Sequence, residues 1–416
     1  MASDIIKPDE RLNKEKQSFV KSIVLAVVVL FIAMASRQTS GLFILPIIEK
    51  TKLTITDLSL AIAIGHLVWG IVQPLWGAMA DRGKTFPVLL AGFLCLAAGQ
   101  IGIIFANTPF SLVLTLGLLS PIGSAVGGVA ILLKCLPSGL SDKERSVASG
   151  YINAGNAVGQ FTLAPLLQYI ISFRGYAAGL ILLAGSAVTA LIPSWFLCRK
   201  KDSGTVQKEN ENVRQGSGSK TSVKGQLGVA FRNSGYLMLH CSFFVCGFHV
   251  TFLSTHLPSE INLYGYAATV TAFCISIIGI CNITGSISSG ILGRYFPLKY
   301  ILAIIYASRA LCIVLYIIAP KTPLTFYIFA AIFGLIWSAT VPPTAGLVGK
   351  LFGVRYLATL FGLVALTHQI GAFFGAWLGG IILQKTGSFF WLWRIDMLLA
   401  VFATSACLLI KEKKEI

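Results

Sequence analysis

The sequence predicts an all-α membrane protein with twelve transmembrane helices arranged as two pseudo-symmetric six-helix bundles. Three observations carry this. The 416 residues are 55% hydrophobic and only 12% charged, about half the roughly 25% charged residues of a soluble domain. Apolar stretches that could cross roughly 30 Å of hydrocarbon, which takes about 20 residues, recur along the whole chain. The basic residues alternate between loops: 25 of the 33 Lys and Arg fall on one side of the resulting topology and six on the other, leaving Arg37 and Arg309 inside spans.

Spans are expected at 19–48, 57–80, 86–106, 110–136, 145–170 and 176–198, then at 231–258, 267–292, 299–319, 323–349, 356–384 and 389–410. The residues before the first span are polar and of mixed charge, so no signal peptide is expected there. Span one carries Arg37, followed three and four residues later by the small Ser40 and Gly41 on the same face. On span two, His66 shares a face with Gln73 and reads as a packing residue. Ser149, Asn153, Asn156 and Gln160 are spaced four, three and four, which puts them on one face of span five. Residues 199–228 are rich in Lys, Ser, Gly, Asn and Gln and read as a flexible linker. The linker divides the chain into an N-terminal bundle, 1–198, and a C-terminal bundle, 229–416.

In the second half, His249 and His256 lie seven apart on one face of span seven, with His240 on the opposite face. Gly279, Asn282, Ser286 and Ser289 share a face of span eight. Span eleven carries His368 and Gln369 beside Gly371, Gly375 and Gly379, which read as close helix packing. Leu132-Leu133-Lys134 followed by Arg145 is echoed by Leu347-Val348-Gly349-Lys350 followed by Arg355, a weak internal repeat of six spans. Such halves suggest alternating access around a midplane site. The Lys and Arg bias places both termini and the linker in the cytoplasm, and hence the chain in the cytoplasmic (inner) membrane.

Composition also excludes functions. A net charge of +17 on a soluble protein would suggest nucleic acid. Here the loop bias accounts for it, so no nucleic-acid partner is expected. Nine cysteines are scattered through apolar segments without a CxxC pair or a His/Cys cluster, so neither metal nor disulfide framework is implied. There is no G-x-x-x-x-G-K-[ST] or HExxH sequence, hence no expectation of an enzyme, an ATP-driven pump or a cofactor.

The loop after span two reads Gly77-Ala78-Met79-Ala80-Asp81-Arg82-Gly83-Lys84. It closely resembles the G-x-x-x-D-R signature that joins spans two and three in the major facilitator superfamily. A degenerate copy, Gly290-Ile291-Leu292-Gly293-Arg294, follows span eight. Three further stretches resemble bacterial monocarboxylate-transporter-like members. They are Ser59–Ile64 with Trp69-Gly70 and Gln73-Pro74, Cys246–His249 through His256-Leu257-Pro258, and His368–Phe373. Animal members of that wider group carry an Asp and an Arg on span eight, where Asn282 and Ser286 stand here.

The resemblance implies the major facilitator fold and a gating role for Asp81, Arg82 and Arg355. Asp81 is expected near residues 355–358 when the cytoplasmic side is closed, held by a helix N-terminus and by Arg355. It also implies that spans nine and twelve lie together at the back of the second half. Arg309 lies roughly 16 Å from one face and Asp396 roughly 10 Å from the other, depths that nearly match in a core of roughly 30 Å. A structural Arg309–Asp396 ion pair is therefore expected. That leaves Arg37 as the intramembrane charge without a partner, on a span that faces the central path in the resembled fold. A guanidinium binds carboxylates bidentately and stays charged; the competing reading is snorkelling to the interface.

The resulting expectation is a monomeric secondary transporter that moves a small organic anion, a carboxylate, by alternating access, with protons as candidate co-substrate. The candidate substrate residues are Arg37, Asn153, Asn156, Gln160, His249, Asn282, His368 and Gln369. Of the sixteen Asp and Glu, only Asp396 falls well inside a span, so a proton would ride on it or on a histidine. The alternatives are an exporter of a larger amphipathic product, such as a siderophore or lipopeptide, and a transporter-like solute sensor.

Overall fold

A computed structural model describes residues 8–82, 84–133, 135–136, 142–199, 223–352 and 357–412. These residues are almost entirely helical, and each of the twelve expected spans has a helical counterpart. Ten helices among the described residues are long and apolar enough to cross a membrane. The other two spans are the 33-residue Asp142–Arg174, polar in its first turns, and span ten, which is broken into Pro323–Leu335 and Val341–Phe352. Spans that are apolar all round are stable only because lipid replaces water and each helix satisfies its own backbone.

Hydrophobic packing follows the two halves. One core cluster is drawn from residues 26–198, and two more from residues 230–410. The fourth is built from the first half plus Ile275 of span eight and Ala376 of span eleven. Turns away from the linker are closed by glycines with positive φ: Gly175 (80°) after span five and Gly387 (68°) after span eleven. Each donates its N–H to a carbonyl four residues back, Ile171 and Leu383, the left-handed cap that L side chains resist. The same device at corresponding places in the two halves fits an internal repeat.

Three spans are interrupted at membrane depth. Span one stops at Gln38, turns through Thr39 and Ser40, and resumes as Gly41–Lys50. Leu42 and Phe43 bond back three residues to Thr39 and Ser40, and Pro46 supplies no N–H to the new helix. Span four passes through a wide π turn at Val113–Leu119 and a tight one at Ala125–Gly127. Span ten opens after Leu335, ahead of Pro342 and Pro343, neither of which can donate to a preceding carbonyl.

Backbone freed in this way must find partners where there is no water. Arg309, 0% exposed, donates through Nη2 to the carbonyls of Ile336 (2.7 Å) and Trp337 (2.8 Å). The guanidinium thus stands at the negative end of Pro323–Leu335, with its Cζ 5.2 Å from the Tyr306 ring and 5.7 Å from Phe333. Asn282 Oδ1 accepts from the Ser338 N–H (3.1 Å). In the first half, Trp76 Nε1 donates to the Ile122 carbonyl in span four (2.8 Å). Arg309→Met is expected to leave the two carbonyls unpaired and to cost about 3–5 kcal/mol. A detergent-solubilised variant with an unchanged unfolding temperature would show that the clamp carries no stability.

The halves touch on the side away from the linker. A methyl group on Gly41 would lie 2.5 Å from the Ser254 carbonyl oxygen of span seven. One on Gly380 would lie 2.4 Å from Ser59 Oγ of span two, and at mid-depth one on Gly70 would meet Gln369 at 2.8 Å. Toward the linker, the same positions on Gly77 of span two and Gly362 of span eleven meet none of the described residues within 4 Å.

Candidate functional site

The break in span one places Arg37 at the end of its first helix, roughly mid-membrane. A cavity of about 50 Å³ of water-fillable space opens beside it, room for roughly four waters at ~10–15 Å³ each. Its polar wall is Arg37, His66, Gln100 and the hydroxyls of Ser36, Ser40, Ser120 and Ser124. Its apolar wall is built from isoleucines, leucines and Phe43 of spans one, two, three, four and six.

Arg37 is positioned by two neighbours from span two. Its Nη2 donates to His66 Nδ1 (2.8 Å), and its Cζ lies 4.2 Å from the centroid of the Trp69 ring. Its Nη1 is buried and, among the described residues, has no hydrogen-bond partner. Among the described residues no carboxylate pairs with it. An arginine donor held out of water and left open costs free energy unless something anionic fills the place. Gln100 Nε2 donates to Ser120 Oγ (2.8 Å), holding span four against span three at the cavity wall.

Span eleven reaches the site through Gln369, whose Oε1 lies 3.4 Å from His66 Nδ1. The amide nitrogen of Gln369 is 3.5 Å from His368 Nδ1, and the His368 ring packs 5.0 Å from that of Phe243. Arg37 and Gln369 are thus brought together from opposite halves. His368 stands one residue further off, among C-terminal-half side chains.

Several expected site residues lie elsewhere. His249 is fully buried, its Nε2 3.0 Å from the Asp396 carbonyl oxygen and 3.2 Å from Asp396 Oδ1. It ties span seven to span twelve and does not neighbour Arg37 as expected; its seven-residue spacing from His256 marked a packed face, since His256 Nε2 bonds the Ala376 carbonyl (2.7 Å). Asn282 serves the broken span ten and does not line the cavity. The expected Arg309–Asp396 bridge is not made either. Arg309 spends its hydrogen bonds on carbonyls, and the near partner of Asp396 is His249.

The side chains of Asn153, Asn156, Gln160 and Asp81, and the whole of Arg355, lie outside the described residues. Arg82 is exposed and ends span two, its N–H bonded to Met79 and Ala80 carbonyls.

His66, a packing residue by its sequence pattern, stands on the cavity wall against Arg37. Its signal was a His-Trp pair three residues apart, one face of span two that also carries Gln73. Glu260 falls just beyond the expected end of span seven at 258. Span seven runs on to Leu263, and Glu260 is 3% exposed, accepting from Tyr316 Oη (2.6 Å) and Trp393 Nε1 (3.1 Å). Asp396 therefore is not alone among carboxylates within spans.

A family model described as Major Facilitator Superfamily matches residues 26–376. Monocarboxylate transporter 13 of Bos taurus is 24% identical over 354 residues, which cover 85% of this chain and 80% of the relative. The uncharacterized MFS-type transporter YcxA of Bacillus subtilis (strain 168) is 21% identical over 378 residues, 88% of each chain. Monocarboxylate transporter 11 of Mus musculus is 25% identical over 368 residues, 85% of this chain and 78% of the relative.

Proposed function

The chain belongs to the major facilitator superfamily, a multi-pass membrane transporter and not an enzyme, and on that premise we propose that it carries a small monocarboxylate by alternating access. The observation that carries this is the open, buried Nη1 of Arg37 on the wall of a small, otherwise apolar and hydroxylated cavity. The carboxylate sits on the guanidinium, and a short tail lies against Ile44, Ile62 and Leu116. Similarity to monocarboxylate transporters favours the same anion class. A cavity of this size suits a few heavy atoms and disfavours a siderophore or lipopeptide.

In this reading, residues 1–198 and 229–416 are the two rocking halves, and linker and termini face the cytoplasm of the inner membrane. The halves then meet on the outer side, an inward-facing state. Asp81, Arg82 and the region of Arg355 come together in the opposite state, and Asn153, Asn156 and Gln160 of span five extend the path. A proton travels with the anion.

Thermal unfolding of purified protein tests the anion class. Pyruvate, lactate and 3-methylbutanoate are expected to raise the unfolding temperature, whereas their amides and neutral amino acids leave it unmoved. Equal shifts from the amides would remove the carboxylate from the reading. Uptake into proteoliposomes separates a carrier from a sensor.

A further inference from the structure

Of the described side chains lining the cavity, only Arg37 and His66 ionise, and Arg37 stays charged at any relevant pH. We infer that His66 is the proton-carrying residue, and that its Nδ1 switches between Arg37 and Gln369 as it loads. The inference rests on the reading of Arg37 as the carboxylate's partner.

The geometry supplies two alternative partners for one nitrogen. Nδ1 stands 2.8 Å from a pure donor, Arg37 Nη2, and 3.4 Å from an acceptor, Gln369 Oε1. A guanidinium only donates, so the contact with Arg37 requires Nδ1 to hold a lone pair and the ring to be neutral, with its hydrogen on Nε2. When a proton from solution binds Nδ1, the lone pair is consumed and two donors face each other. The ring then turns its new N–H toward Gln369 Oε1.

Arg37 is left with Nη1 and Nη2 both open, the paired arrangement that grips a carboxylate bidentately. The anion's charge in turn favours the imidazolium beside it. The charge facing His66 is that of Arg37 from span one; the other titratable side chain near it is His368 of span eleven, on the far side of Gln369. Gln100, Ser120 and Ser124 of spans three and four contribute no charge. Proton and anion thus bind each other's preferred state, and linkage makes the effect reciprocal. The loaded site holds one guanidinium, one imidazolium and one carboxylate; the empty site holds the guanidinium alone. Net transfer is one proton with one anion. Because Gln369 belongs to span eleven and His66 to span two, the switch also acts on a contact between the halves.

Titration calorimetry with pyruvate, lactate and 3-methylbutanoate in buffers of different ionisation enthalpy gives the protons taken up per anion. For the wild type, uptake is expected to approach one proton per anion, and affinity to fall about tenfold per pH unit over the pH range in which it does. His66→Gln keeps an acceptor for Arg37 and is expected to bind the anion weakly, with no proton uptake and no pH dependence from pH 5 to 8. Wild-type binding without proton uptake or pH dependence overturns the inference and leaves the carboxylate reading standing, even if the variant fails to fold. So does uptake that persists in His66→Gln or is lost instead in His368→Gln. Absence of binding by all three acids overturns the carboxylate reading itself.

Discussion

Arg37→Gln protein is expected to lose carboxylate binding by about 100-fold or more while remaining folded. Each charge-assisted hydrogen bond contributes about 1.5–3 kcal/mol, and the guanidinium offers one open donor and a second now resting on His66. Two such bonds exceed 2.7 kcal/mol, which corresponds to about 100-fold. Folding should survive, because Arg37 has one hydrogen bond and one ring contact to the protein, and a glutamine amide can still donate to His66. Arg37→Lys keeps the charge without the planar fork and should retain weak transport. Binding by calorimetry and unfolding temperature, measured on the same preparations, decide the matter. Normal affinity in folded Arg37→Gln protein would sink the proposed anion site.

The largest effects on stability are expected at glycines where two spans touch backbone to backbone. An added methyl on Gly285 would lie 1.6 Å from the Leu335 carbonyl oxygen, beside the break in span ten. On Gly371 it would lie 1.9 Å from the Phe244 oxygen, and on Gly247 1.9 Å from the His368 oxygen. No rotamer relieves a Cβ–backbone clash, so the helices must part. Overpacking costs about 1–3 kcal/mol when side chains can shift, and more when they cannot. Gly285→Ala and Gly371→Ala should therefore yield little monodisperse protein. Gly185→Ala and Gly362→Ala, whose added methyls meet none of the described residues within 4 Å, should be neutral or stabilising by up to about 1 kcal/mol through helix propensity. Equal yields for both pairs would show that these close approaches do not hold the bundle together.

Close packing at Gly371, Gly375 and Gly379 was legible in the sequence, because small residues four apart on an apolar helix serve little else. His249 and Asn282 carried the same polar signal as Arg37, yet the fold spends them on Asp396 and on Ser338. Arg309 and Asp396 matched in depth, but depth says nothing about rotation about a helix axis.

By itself the sequence determined the class and the twelve spans. A segment in hydrocarbon must be apolar and must bond its own backbone, so composition and length leave no other solution. It also singled out Arg37, since a charge in a span is too costly to be incidental. Only the tertiary structure decided which polar groups face the cavity and which repair broken helices. Span ten opens ahead of two prolines, and the carbonyls freed there claim Arg309. Span one opens beside Arg37, and there a free donor lies at a cavity wall. The pairing of His66 with Gln369, 303 positions away in the chain, exists because the two halves close on each other, and no local pattern encodes that distance.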